Sequence, residues 1–91
     1  MSDVSIPSEQ NRCELSFTDL QGQYLAFIHA YRKLRRVAPA EQDMERYFGV
    51  TPPTVHRRVM ELEKRGLITR TARKARSIEL RVLPDQLPAL R

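Results

Sequence analysis

The stretch that decides the fold is "GVTPPTVHRRVMELEKRGLI", Gly49 to Ile68. Two prolines stand directly before apolar residues at helical spacing. Proline is tolerated in the first turn of a helix, where its missing N–H would have had no partner, and threonine is a good residue just before it. Thr51-Pro52-Pro53 therefore starts a helix, which the spacing predicts over about 52–65. Val55, Val59 and Leu62 recur at i, i+4 and i+7 as its buried stripe. At about 100° per residue, Thr54, Arg57, Glu61 and Lys64 fall on the far side and His56 on the flank. The helix thus presents Thr51, Pro53, Thr54, His56 and Arg57 in its first turns.

Upstream, Pro39 sets the start of a short helix over about Ala40–Phe48, with Met44, Tyr47 and Phe48 on its apolar side. Gly49 stops it at the position where a left-handed residue closes helices. Gly49-Val50-Thr51 is then a three-residue turn between two helices. Further back, Thr18 and Gln21 have the spacing of a capping box. Leu20, Tyr24, Phe27, Ile28, Tyr31 and Leu34 mark one face of a first helix over about Asp19–Arg35. Arg32, Lys33, Arg35 and Arg36 suit the negative end of its dipole. Gly22 lies on the opposite face, where it weakens the helix by roughly 1 kcal/mol relative to alanine; nothing in the sequence accounts for it.

Downstream, Gly66 ends the third helix and the period changes. Leu67–Arg70 is a β-like run, and Ile78–Val82 alternates apolar with charged residues. The basic loop "TARKARS" between them makes a hairpin, or wing, over about 70–77. The expected fold is mainly α with a small β-hairpin, a winged helix-turn-helix three-helix domain over 15–83. Residues 1–14 and 84–91, proline-broken and without period, are expected to be tails. A chain cut to 15–83 should then melt near the full-length temperature. The expected core is Tyr24, Phe27, Ile28, Tyr31, Leu34, Met44, Phe48, Val55, Val59, Leu62, Leu67, Ile78 and Leu80, with Met44 its weakest member because its neighbours are polar.

Ninety-one residues make one small domain with a modest core. The single cysteine, Cys13, forms no internal disulfide. There is no signal-peptide pattern and no apolar run long enough for a membrane, so a cytoplasmic location is expected. The formal charge is +5, unevenly spread: residues 1–19 hold four acidic groups against one basic, net −3. Residues 57–76 hold eight basic groups against two acidic, net +6, the footprint of a polyanion binder. Tyr24 and Tyr31 lie on the apolar face and are assigned to the core rather than to base stacking. His29 has no companion at metal-ligand spacing, and no metal or cofactor is expected.

A helix-turn-helix works because the major groove admits one helix, whose N-terminal side chains reach base edges. A basic wing grips the neighbouring phosphates. The segments "FTDLQGQYLAFI", "APAEQDMERYFGV", "TPPTVHRRVMELEKRGLI" and "ARSIELRV" together resemble the winged-helix DNA-binding domain of LexA-type repressors, from about Phe17 to Val82. The likeness includes the opening hydrophobic-Thr-x-x-Gln, the short helix ending in Gly, and the exit Arg65-Gly66-Leu67-Ile68. The resemblance implies base contacts from Thr51, Pro53, Thr54, His56 and Arg57. Arg58 and the wing residues Arg70, Arg73, Lys74 and Arg76 complete the expected DNA-binding set. The turn is one residue shorter than in the family, and Arg57 stands where the family has an acidic residue, so the family's operator is not implied. The family's self-cleaving Ser/Lys protease half has no counterpart in these residues.

The expected function is sequence-specific binding of double-stranded DNA by a small transcriptional regulator, two copies pairing on DNA. The alternative is a winged helix that docks an acidic protein partner. RNA binding is disfavoured by the lack of exposed aromatic clusters. No phosphate loop, ligand set or placed carboxylate pair points to an enzyme.

Overall fold

A computed structural model describes residues 17–91. The tail expected over 1–14 lies outside the described residues. Helix α1 spans Asp19–Arg35, α2 Glu41–Phe48 and α3 Pro52–Lys64. Strands β1 (Ile68–Thr69) and β2 (Glu79–Leu80) follow, paired antiparallel with Ile68 opposite Leu80 and Thr69 opposite Glu79. Three helices and a two-stranded wing make a winged helix.

Local chemistry sets the helix ends. Thr18 Oγ1 accepts from the Gln21 N–H at 3.1 Å, and Gln21 Oε1 accepts from the Thr18 N–H at 3.0 Å, a complete capping box. Asp43 carries the same duty at the start of α2, accepting from the Ala40 N–H at 2.8 Å. Gly49 closes α2 at φ +66°, a conformation costly for a residue with a Cβ, and its N–H returns to the Glu45 carbonyl. Thr51 occupies the cap of α3, but its hydroxyl meets the Thr54 hydroxyl at 2.9 Å rather than a backbone N–H. Pro52 and Pro53 offer no N–H to cap, so little is lost.

The core lies among the helices and under the hairpin. Tyr24, Phe27, Ile28, Met44, Val55, Val59, Leu62, Leu67 and Ile78 are buried in one cluster, and Tyr31, Phe48 and Leu80 pack on it half-buried. Met44, expected to be the weakest member, is fully buried. Tyr24 stacks on Phe48 with ring centroids 4.1 Å apart. Leu34 departs from expectation and is 78% exposed. The last turn of α1 runs past the packed elements, every residue from Arg32 to Val37 being exposed, so helical period continues where there is nothing left to bury. Leu25, Ala26, Ala38, Ile68 and Val82 join the interior instead. Residues 22–28 of α1 are buried without interruption, because the helix is covered on more than one side.

Part of that cover is the segment 84–91, expected as a tail. It turns through a short 3₁₀ helix, Pro84–Gln86, and lies along α1 as a strap. Leu87 and Leu90 pack on the core. The buried Gln23 holds the strap by its amide, donating to the Ala89 carbonyl at 2.9 Å and accepting from the Arg91 N–H at 2.8 Å. The Tyr47 hydroxyl donates to the Arg91 carbonyl. Here Gly22 finds its reason: a Cβ would lie 2.9 Å from the Phe17 ring and 3.0 Å from Pro88. The glycine admits both.

Candidate nucleic-acid interface

The prolines and the Gly49 turn leave the first turns of α3 in solvent. Thr51, Pro53, His56 and Arg57 are exposed and Thr54 is half-buried, while Val55, Val59 and Leu62 fasten the opposite face. His56 Nδ1 lies 3.4 Å from Glu41 Oε2, at the first residue of α2. Glu41 also lines a cleft of about 280 Å³ between the start of α2 and the wing, with Arg70, Arg73, Lys74 and Arg76 on the wing side. Glu41 therefore lies between the head of α3 and the wing.

The wing is built rather than loose. The Ser77 hydroxyl accepts from the Thr71 N–H at 2.9 Å and sits within bonding reach of the Thr71 and Lys74 carbonyls, at 3.1 and 2.8 Å. The Lys74 N–H donates to the Thr71 carbonyl at 3.2 Å. Arg73 and Arg76 adopt left-handed backbone, φ +63° and +57°, which folds the loop over. Beyond it, the Arg81 N–H donates to the Leu67 carbonyl.

The expected basic residues divide into two groups. Arg57, Arg73 and Lys74 are exposed, with no side-chain partner among the described residues. Arg58 and Arg70 are turned into the protein, and Arg76, though exposed, is held by partners within it. Arg58 is half-buried near the Tyr24 phenol, with its Nε enclosed without a hydrogen-bond partner. Burial raises the Tyr24 phenol above its ordinary value, with Arg58 acting against it. Arg70 Nε donates to Glu63 Oε1 at 3.1 Å, and its Nη2 reaches the Met60 sulfur.

Arg76 is the most heavily engaged. Its Nη1 faces the Tyr31 hydroxyl at 3.1 Å, Asp43 Oδ2 at 3.1 Å and the Ala38 carbonyl at 3.2 Å, tying the wing to α1 and α2. At Asp43, burial favours protonation, but it is outweighed by the Ala40 N–H, Arg76, Tyr31 and Arg46, so the carboxyl titrates below its ordinary range. A carboxylate with a lower folded than unfolded pKa stabilises fully above the unfolded value and loses that contribution as pH falls through the folded one. Asp43→Asn should therefore cost about 1–2 kcal/mol near neutral pH. Melts from about pH 6 to about pH 2 should show this difference closing in acid; a constant difference would place the stabilisation in packing instead.

Glu41, Asp43, Tyr31 and Ser77 were not in the expected set. Asp43 carried a sequence signal, an acid three residues after the start of a proline-initiated helix. The others depend on which elements meet, and no local pattern reveals that.

The profile of the LexA DNA binding domain matches residues 15–77. Similar curated proteins include the LexA repressor of Thermosipho africanus, 37% identical over 68 residues, and that of Thermosipho melanesiensis, 38% over 63. The LexA repressor of Ruegeria sp. is 38% identical over 71 residues. These alignments cover 75%, 69% and 77% of this chain, and 34%, 32% and 30% of the relatives. The chain thus spans about a third of the length of those proteins. No helix among the described residues is long and apolar enough to cross a membrane. With the capping box, the Gly49 turn, the proline-started third helix and the wing all in place, the chain belongs to the LexA DNA-binding domain family.

Proposed function

We propose that the protein is a sequence-specific regulator of transcription that binds double-stranded DNA, with α3 in the major groove and the wing on the adjacent backbone. The observation that carries this reading is the exposed head of α3, with Thr51, Pro53, Thr54, His56 and Arg57 displayed beside a wing whose Arg73 and Lys74 are unengaged. Family membership supports it. One such helix meets only a few base pairs, so two copies pairing on a two-fold site would supply the length a specific regulator needs. Binding alone, without catalysis, is sufficient for this role.

Reading and gripping fall to different residues. The planar fork of Arg57 can hold a guanine edge by two hydrogen bonds. Arg57→Ala should cost on the order of 1–3 kcal/mol on the preferred site and blur preference there. Arg73→Ala or Lys74→Ala should weaken selected and scrambled duplexes alike and reduce the salt slope by roughly one unit. Arg76 is committed to Asp43 and Tyr31, so its loss should register in stability before it registers in that slope. Salt titrations on both duplexes check all three. If neither Arg57 nor the wing variants alter DNA binding, docking to an acidic protein becomes the better reading.

A further inference from the structure

His56 stands 3.4 Å from a carboxylate, and that contact constrains what the ring can offer to a base. A carboxylate only accepts hydrogen bonds, so the neutral ring must carry its proton on Nδ1 to meet Glu41. Nε2 is then a bare lone pair. Glu41 is set by the start of α2, and its side chain is 33% exposed against 58% for His56, so the acid is the more fixed partner. Arg57 is next on α3, and the wing cations Arg70, Arg73, Lys74 and Arg76 share the cleft with Glu41. None of these is an acceptor that could take the place of Glu41.

We propose that Glu41 is a positioning residue for base selection: it holds neutral His56 as a hydrogen-bond acceptor, and protonation converts the same atom into a donor. This rests on the reading of α3 as the base-contacting helix. In the major groove an acceptor at Nε2 pairs with an exocyclic amino group, on adenine or cytosine. A protonated ring donates from Nε2, which suits the N7 and O6 of guanine. The base favoured opposite His56 therefore differs between the neutral and the protonated ring. Glu41 stays in contact in both states, because either form presents it with an N–H at Nδ1.

Two measurements test this on the full chain. Ring ¹⁵N shifts of the free protein at about pH 8 should report His56 protonated on Nδ1; Glu41→Gln, whose amide can donate as well as accept, should mix the two tautomers. A wild-type ring protonated on Nε2 overturns the proposal. Selection from a random duplex pool at about pH 8 and about pH 5.5 should then exchange adenine or cytosine for guanine at one position, by about 3- to 10-fold, the worth of one hydrogen bond. In Glu41→Gln that exchange should shrink while binding to the remaining positions persists. If His56→Ala changes the selected sequence but the wild-type preference is the same at both pH values, the role of Glu41 fails and base reading by α3 stands. If His56→Ala changes nothing at either pH, His56 does not read bases, and the reading of α3 fails at this residue together with the proposal.

Discussion

Val59→Asp is expected to leave no folded domain. Val59 is fully buried on α3 between Val55 and Leu62, inside the cluster that joins the helices to the hairpin. An aspartate there would lose the valine's packing and place a charge where no partner faces it. Burying an unpaired polar group costs several kcal/mol, and an unpaired charge more. A domain of this size holds only on the order of 5–10 kcal/mol in total. Arg57→Asp, on the exposed side of the same helix, is the control and should melt close to the wild type. Circular dichroism melts of both variants decide the matter: a cooperative transition near wild type for Val59→Asp would place the helix's buried face elsewhere.

Cutting the chain after Leu83 should be the second most damaging change. It removes Leu87 and Leu90 from the core and both bonds to the Gln23 amide, and it uncovers α1 beside Gly22. Two partly buried leucines stabilise by on the order of 2–4 kcal/mol before the cost of ordering the strap is subtracted. For a domain this small, each net kcal/mol shifts the midpoint by about 4–8 °C. A fall of about 10 °C or more is expected, whereas the segment's composition alone had predicted almost none. Gln23→Leu in the full chain separates two causes. If the amide bonds dominate, it should lose most of what the truncation loses; if the leucines dominate, it should stay near wild type.

These two variants also mark how much of the molecule was legible in the sequence. Val59 could be placed because the helix around it is defined by neighbours: Thr51 and two prolines begin it, Gly66 follows it, and the period lies between. The capping box of Thr18 and Gln21 was legible for the same reason. The strap was not, because its hydrogen-bond partners Gln23 and Tyr47 lie 44 to 68 residues away in sequence. Its one signal was the unexplained Gly22 in α1, which does not name what covers it. Leu34 shows the converse error, since period says which face is apolar but not where the neighbouring elements stop. The candidate interface divides similarly. The exposed head of α3 followed from local rules, whereas the fates of Arg58, Arg70 and Arg76 depend on Tyr24, Glu63 and Asp43, each supplied by tertiary contact.

The meeting of Phe17 and Pro88 at Gly22 has a topological meaning. The first described residue and the strap share one neighbour, so the described part of the domain is nearly a closed ring with a single nick. Load applied through Phe17 or through the strap would pull on the junction that seals the helix. Mechanical load and thermal fraying thus converge on Gly22, a position with no side chain of its own.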